Sequence, residues 1–293
     1  MIDSLSPHES NSNQLVALVN GRPSTTLSIL DRAAAYGDGL FETVALVDGQ
    51  PQNWVRHYRR LARGCAQLFI DCPREELWQN DLDRAIALRT LPKLAILKLT
   101  LSRGESQRGY APDPAASPTR VLQLSRWPIS IANDLPLTVT ECSTRLGLNR
   151  ALVGIKHLNR LEQVLGAREV LHAKADEGIM FDVKDRVISG TRSNIFIVLA
   201  DHRVCTPLLE ESGVAGIMRE IVLEQSAVCG ITIQETAISR TDLRLAEEIF
   251  FTNSLWGIRP AGTYLQARQG TRTLSSRLGT SLRAHLQQRQ LLP

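Results

Sequence analysis

Lysine is what this chain has least of among its charged residues. Of 34 basic residues only five are lysine (Lys93, Lys98, Lys156, Lys174 and Lys184) and 29 are arginine. Arginine suits two-pronged recognition of carboxylate and phosphate, whereas a desolvated lysine can lose its proton and act as nucleophile or base. Aromatic residues are scarce too, at 5%. The five cysteines (Cys65, Cys72, Cys142, Cys205 and Cys229) are scattered, odd in number and without a Cys-x-x-Cys pair. That argues against a disulfide framework or a metal site, and for a reducing, cytoplasmic setting. No apolar run approaches the ~18 residues of a membrane helix, which argues against a membrane partner. The first 13 residues are polar and acidic, without the positive start and apolar stretch of a signal peptide. They are expected to be a disordered lead-in. A net charge of +4 over 293 residues is too weak to argue for nucleic acid. No internal repeat or low-complexity tract is present.

What is there is the balance of a globular chain, 43% hydrophobic and 22% charged, with length for two domains or one large one. Residues 14–20 run into Asn20-Gly21 and residues 39–47 into Asp48-Gly49, both two-residue hairpin signals. Apolar positions at helical spacing (Trp54, Leu61, Cys65, Leu68) predict a helix over 53–69, with another over 75–89. Between 93 and 101 the alternation slips at Ile96-Leu97, which predicts a bulge or a strand buried on both faces. A loop rich in proline and alanine (110–118) and a strand at 121–124 follow. Residues 126–135 hold Pro128, show little periodicity and form the expected linker. Beyond it the pattern predicts strands at 136–141, 177–183, 193–199 and 231–237, and a last strand at 249–252. Helices are predicted at 159–174, 216–228, 242–247 and 275–291. Strands and helices mix without strict alternation, which gives an α+β (mixed α/β) class in two domains, 14–125 and 136–293.

Four places carry chemistry. Lys156 lies in Gly154-Ile155-Lys156-His157-Leu158-Asn159-Arg160, just before a helix. Read alone it is either a solvated surface lysine or an amine whose pKa the apolar run 151–155 depresses. Val214-Ala215-Gly216-Ile217-Met218-Arg219 is a small-residue turn entering a helix. Its free N–H groups either seat an anion or end a helix that begins at glycine for packing reasons. Thr252-Asn253-Ser254, after a buried strand, either holds phosphate oxygens or makes a turn. Arg103 and Arg108, five apart in a glycine-containing loop that ends at Tyr110, either grip carboxylates bidentately or are solvated.

In their order and spacing these stretches resemble the fold-type IV pyridoxal-phosphate enzymes, the class IV aminotransferase family. The resemblance runs from about residue 15 to about 260. It rests on Asp31-Arg32, Tyr36-Gly37-Asp38-Gly39-Leu40-Phe41-Glu42-Thr43, His57-Tyr58-Arg59-Arg60-Leu61, the 103–110 loop, residues 154–163, Ser193-Asn194-Ile195-Phe196 and residues 213–219. The Arg-Gly-x-x-x-Arg-Gly-Tyr loop and Lys-His-Leu-Asn-Arg-Leu-Glu-Gln point to the lyase branch of the family. The resemblance implies a smaller N-terminal α/β domain, a larger C-terminal domain that binds pyridoxal 5'-phosphate, and a homodimer. It implies that Lys156 is the Schiff-base lysine and catalytic base. Arg60, the backbone of Gly216, Ile217 and Met218, and the Ser254 hydroxyl would hold the phosphate, with Asn194 and Ser189 completing the cofactor site. Asp38, Arg103, Arg108, Tyr110, Asn159 and Arg160 would face a small dicarboxylate substrate. One position departs from the pattern. Family members commonly place a glutamate against the pyridine nitrogen just before the Gly-x-x-x-Asn-x-Phe stretch, and here Ser189 stands there. A carboxylate keeps the ring protonated and a strong electron sink, which a hydroxyl does poorly. The departure weighs against the alternative of a D-amino-acid or branched-chain aminotransferase, and less against a lyase whose product gains aromaticity.

Overall fold

The computed structural model describes residues 14–106, 109–128, 135–266, 270–289 and 291–292. The expected lead-in (1–13), residues 129–134 of the expected linker, and Arg108 lie outside the described residues. β1 (Gln14–Val19) turns into β2 (Arg22–Pro23) through Asn20 and Gly21, at φ 48° and 76°. Two successive left-handed residues are what a two-residue hairpin of matching twist needs. A short helix, α1 (Arg32–Tyr36), is capped by the Asp31 side chain. It leads to β3 (Gly39–Val47), which turns at Asp48-Gly49 into β4 (Gln50–Pro51). Helices α2 (Trp54–Leu68) and α3 (Glu75–Leu88) follow, then β5 (Leu94–Ser102) and β6 (Thr119–Arg126). The strands form one antiparallel sheet in the order β2-β1-β6-β5-β3-β4.

β5 pairs with β3 residue for residue from Leu94 to Ser102, so there is no bulge. Its slipped alternation has the other cause, because Ala95, Ile96 and Leu97 are all buried in a central strand. In β3, Leu40, Val44 and Leu46 pack with Leu61, Cys65, Trp78 and Leu82 of α2 and α3. Phe41 and Thr43, out of phase by one, line a cavity on the opposite face. α2 buries His57, Arg60, Leu61, Gly64 and Cys65, the inward stripe of an amphipathic helix. Arg60 is therefore carried inward by the same periodicity that buries leucines.

The second sheet is built from β7 (Leu137–Leu146), β8 (Glu177–Asp182), β9 (Val187–Gly190), β10 (Asn194–Val198) and β11 (Val204–Pro207). It continues with β12 (Ile233–Thr236), β13 (Glu248–Asn253), β14 (Gly257–Gln266) and β15 (Gly270–Thr273). Helices α4 (Leu161–His172), α5 (Ile217–Val228), α6 (Arg240–Leu245) and α7 (Arg277–Gln288) complete this half. The strand order is β12-β11-β10-β13-β14-β7-β8-β9, with β15 beside β14. Ile195, Ile197, Ile249 and Phe251 face one core with Phe181 and Tyr264. Their neighbours Phe196 and Phe250 face another, beneath Met218 and Ile221 of α5 and Leu282 and Leu286 of α7.

Four strands here escape the sequence pattern. β9 and β11 are only four residues each and buried throughout, so neither shows the alternation that marks a strand. β14 and β15 follow what the sequence marks as the last strand. β14 contains Pro260 and Gly262, which read against a strand, yet β13 on one side and β7 on the other complete its ladder. Of two backbone bridges, Leu40 with His157 joins the two halves of the molecule, and Gly154 with Val214 ties the same segment to the turn before α5. Phe41 N–H donates to Lys156 O and Leu158 N–H to Gly39 O, both at 2.9 Å, while Gly154 N–H donates to Gly213 O at 2.9 Å. Residues 154–158 are thus stitched to β3 on one side and to the turn before α5 on the other. That seam places Lys156 between the two sheets.

Candidate active site

A cavity of ≈ 340 Å³ opens beside this seam. Phe41 and Thr43 of β3 form one wall, residues 189–194 a second, and residues 213–217 with 252–256 the floor. Lys156 reaches in with its Nζ 4.2 Å from the centroid of the Phe41 ring. Burial and then the Arg60 charge push its amine down to about 7, against an upward pull from Glu42. The other four lysines are exposed. The desolvation has a different origin from the sequence expectation: of the run 151–155, Ile155 is fully buried but Ala151 is exposed. The apolar surface under the amine comes from β3.

Arg60 is fixed by a buried carboxylate. Its Nε donates to Glu42 Oε1 at 2.8 Å, its Nη2 to Glu42 Oε2 at 2.5 Å, and its Nη1 to Ala215 O at 2.9 Å. His57 Nδ1 lies 2.7 Å from the same Oε2. Burial by itself would raise the Glu42 carboxyl, but the Arg60 charge and the hydrogen bonds from Arg60 and His57 outweigh it and hold it at about 2. Burial lowers the proton affinity of His57. Glu42 and His57 support the site through Arg60, a role that their motifs in the sequence do not reveal. The signal available was their placement: a carboxylate and an imidazole at positions that strand and helix periodicity both send inward.

α5 begins at Gly216, which offers no side-chain cap, so the first N–H groups of the helix are uncovered at the cavity floor. Asn194 Nδ2 donates to Val214 O at 2.9 Å, and a Cβ on Gly216 would stand 1.9 Å from Asn194 Oδ1. Glycine is required there by close approach. Asn253 Oδ1 accepts from the Leu255 and Trp256 N–H groups, both at 3.0 Å. The 252–254 stretch therefore makes a turn and also presents Ser254 to the cavity. Thr252 Oγ1 and Gln163 Oε1 are buried at the cavity wall without a partner among the described residues. An uncovered helix start, a guanidinium, a hydroxyl and orphaned polar atoms are what a phosphate ester needs. With a lysine of lowered pKa beside them, these residues fit pyridoxal phosphate.

Arg160 also lines the cavity. Its Nε donates to His157 O at 2.8 Å, and burial, partly offset by Glu162, lowers its pKa to about 10. Ser189, Asn194, Gly216, Ile217 and Ser254 stand at the wall with it, as does Arg192, which the sequence did not single out. Met218, in the first turn of α5, packs its side chain into the core and is not among the lining residues. The remaining candidates gather elsewhere. Asp38 accepts from Arg32 Nε at 2.7 Å and Arg103 Nε at 2.8 Å, while Arg103 Nη1 and Nη2 donate to Phe69 O and Leu68 O. Tyr110 is 86% exposed, its ring 5.4 Å from Tyr36 and its carbonyl accepting from Arg32. Asn159 donates to Gly37 O at 3.1 Å. Asp38, Arg103, Tyr110 and Asn159 do not line the cavity in the single chain.

Comparison with known proteins gives four findings. The amino-transferase class IV family profile matches residues 39–264. An aminodeoxychorismate lyase of Vibrio harveyi is 35% identical over 244 residues, 83% of this chain and 89% of that protein. A crystal structure of 4-amino-4-deoxychorismate lyase from Pseudomonas aeruginosa is 38% identical, with a TM-score of 0.82 over 93% of this chain and 98% of that one. An Escherichia coli branched-chain amino acid aminotransferase, 20% identical with a TM-score of 0.80 over 92% of each chain, shares the fold.

Proposed function

The chain belongs to the amino-transferase class IV family, and from that premise we propose that it is a pyridoxal-phosphate-dependent aminodeoxychorismate lyase. It converts 4-amino-4-deoxychorismate to 4-aminobenzoate and pyruvate, a step of folate biosynthesis. The observation that carries this reading is Lys156, the one unexposed lysine, with its amine near neutrality between the Phe41 ring and the phosphate-type seat of Arg60 and α5. Identity of 35% and 38% to enzymes of that name supports the reaction.

When bound, pyridoxal phosphate supplies an electron sink next to the carbon that carries the substrate nitrogen. Lys156 Nζ is the amine that would hold the cofactor, and in its free form it would serve as the base. Its position lets it remove the ring hydrogen on the nitrogen-bearing carbon as a proton. The electron pair of that C–H bond expels the enolpyruvyl oxygen and the ring becomes aromatic. A proton returned to the methylene carbon turns enolpyruvate into pyruvate. Arg160 and Arg192 are guanidiniums at the wall suited to the two substrate carboxylates. Asp38, Arg103 and Tyr110 serve by ordering the loop around Arg32.

The same reading includes a homodimer, supported by the exposed apolar face of α4 at Leu161, Val164 and Leu165. It includes two domains, one per sheet, and a cytoplasmic location, which five free cysteines suit. The test is Lys156→Ala supplied with aminodeoxychorismate. We expect loss of 4-aminobenzoate formation and of the borohydride-fixed cofactor on the peptide that contains residue 156. Wild-type product formation by the variant overturns the assignment. A wild-type enzyme that instead moves amino groups onto 2-oxoglutarate overturns the lyase in favour of an aminotransferase.

A further inference from the structure

The cavity gathers Arg60, Lys156, Arg160 and Arg192, yet among the described residues no aspartate or glutamate lines it. The two carboxylates hydrogen-bonded to its lining residues are both committed. Glu42 is taken by Arg60 and His57. Glu177 is fully buried behind the β9–β10 turn. There it accepts from Gly178 N–H at 2.9 Å, Thr191 N–H at 2.8 Å, the Thr191 hydroxyl, and the Ser193 hydroxyl at 2.9 Å. It lies so close behind Gly190 that a Cβ there would meet its Cδ at 3.0 Å. Its remaining attraction is to Arg192, at 3.8 Å. What the wall offers next to Gly190 is the Ser189 hydroxyl.

A protonated pyridine nitrogen is a cation. In a cavity that already holds three guanidiniums, it needs an anionic partner to keep its proton. A serine hydroxyl can donate a hydrogen bond to the neutral nitrogen but cannot balance a charge. Taking the proposed function as its basis, we propose that this chain holds its cofactor with the pyridine nitrogen unprotonated, accepting from Ser189, and that Ser189 is thereby a specificity-determining residue favouring elimination over amino-group transfer. A neutral pyridine withdraws electrons weakly. Elimination from a cyclohexadiene is assisted by the aromaticity of its product, so it tolerates the weak sink. Transfer of the amino group onto the cofactor has no such assistance and is slowed.

The experiment loads the apoprotein with pyridoxal phosphate labelled with 15N in the ring and reads the nitrogen chemical shift by NMR. We expect the shift of a neutral pyridine in the wild type across pH 6–8, and of a pyridinium in Ser189→Glu. In the same pair, accumulation of the amino form of the cofactor from D-alanine or L-leucine, followed by absorbance, is expected to rise on the order of tenfold in Ser189→Glu, the equivalent of one pKa unit of differential interaction. A pyridinium shift in the wild type overturns the proposal, and this measurement stands even if the variant does not fold. A cofactor-loaded Ser189→Glu that keeps the neutral shift overturns the role of Ser189. A neutral shift in a wild-type protein that makes no 4-aminobenzoate upholds the protonation state and overturns the lyase reading alone.

Discussion

A lysine that is roughly half neutral at pH 7 leaves a trace in the stability of the cofactor-free protein. The Lys156 amine titrates at about 7 when folded, against 10.5 for the ordinary side chain. Between those two values the unfolded chain holds a proton that the folded chain has released, so stability rises with pH across the window. Below about 7 both states are protonated and the cost of the charged amine in the cavity is fully present. Above about 10.5 it is gone. Lys156→Met removes the contribution, so its stability advantage over the wild type is expected to shrink steadily from pH 7 to pH 10.5, read by urea denaturation of the two apoproteins. A difference that stays flat over that window would mean the amine is not depressed. Glu42 belongs to the same scale. Glu42→Gln leaves Arg60 buried without its counter-charge, for which about 3–5 kcal/mol of lost stability is expected from removal of one partner of a buried pair. Lys156 was legible in the sequence through the apolar run before it and the specific motif after it. The cause of its lowered pKa was not, since Phe41 and Arg60 come to it from distant segments.

Elements matter here mainly through where they begin. α5 owes its uncovered N-terminus to Gly216, and Asn194 occupies the space that any side chain at 216 would need. Gly216→Ala must push Asn194 off its bond to Val214 and shift the first turn of the helix. We expect the variant to fold, since residues 217–222 keep their apolar contacts. Its dissociation constant for pyridoxal phosphate, measured by absorbance titration, should rise by roughly tenfold or more, about 1.4 kcal/mol. Unchanged affinity would remove the helix start from the phosphate seat. α2 and α5 themselves were readable, because long stretches with a strong period announce their type. β9 was not readable, and it carries Ser189. β14 was hidden by Pro260 and Gly262, residues that a ladder on both sides accommodates. Short strands and strands made by their neighbours leave little local signal, so the strand that brings Ser189 and Gly190 to the cavity had to be seen in three dimensions.

At the scale of the whole molecule, α4 raises a question that the single chain leaves open. Leu161, Val164 and Leu171 are 78%, 60% and 76% exposed and Leu165 50%, while Gly166 and Val170 on the other side are buried. Apolar side chains recurring at three- and four-residue steps on an exposed face mark a contact surface. The helix starts directly after Arg160, which lines the cavity. A partner packed on α4 would therefore also stand against the entrance to the site. The 103–110 loop has its own exposed neighbours, Ile29, Leu30 and Tyr110, and Asp38 and Arg103 spend their charges on each other and on helix ends, away from this chain's cavity. Both facts suit a site completed by a second copy. Light scattering of the purified protein should give twice the 32.5 kDa chain mass. Leu165→Glu, which places a charge in the middle of the stripe without touching the core, should give a folded monomer. Because the entrance would then be open to water on one side, the monomer should keep its borohydride-reducible cofactor on Lys156 but lose 4-aminobenzoate formation. A wild-type protein that runs at 32.5 kDa, or a Leu165→Glu monomer with full activity, would show that one chain is sufficient for the reaction.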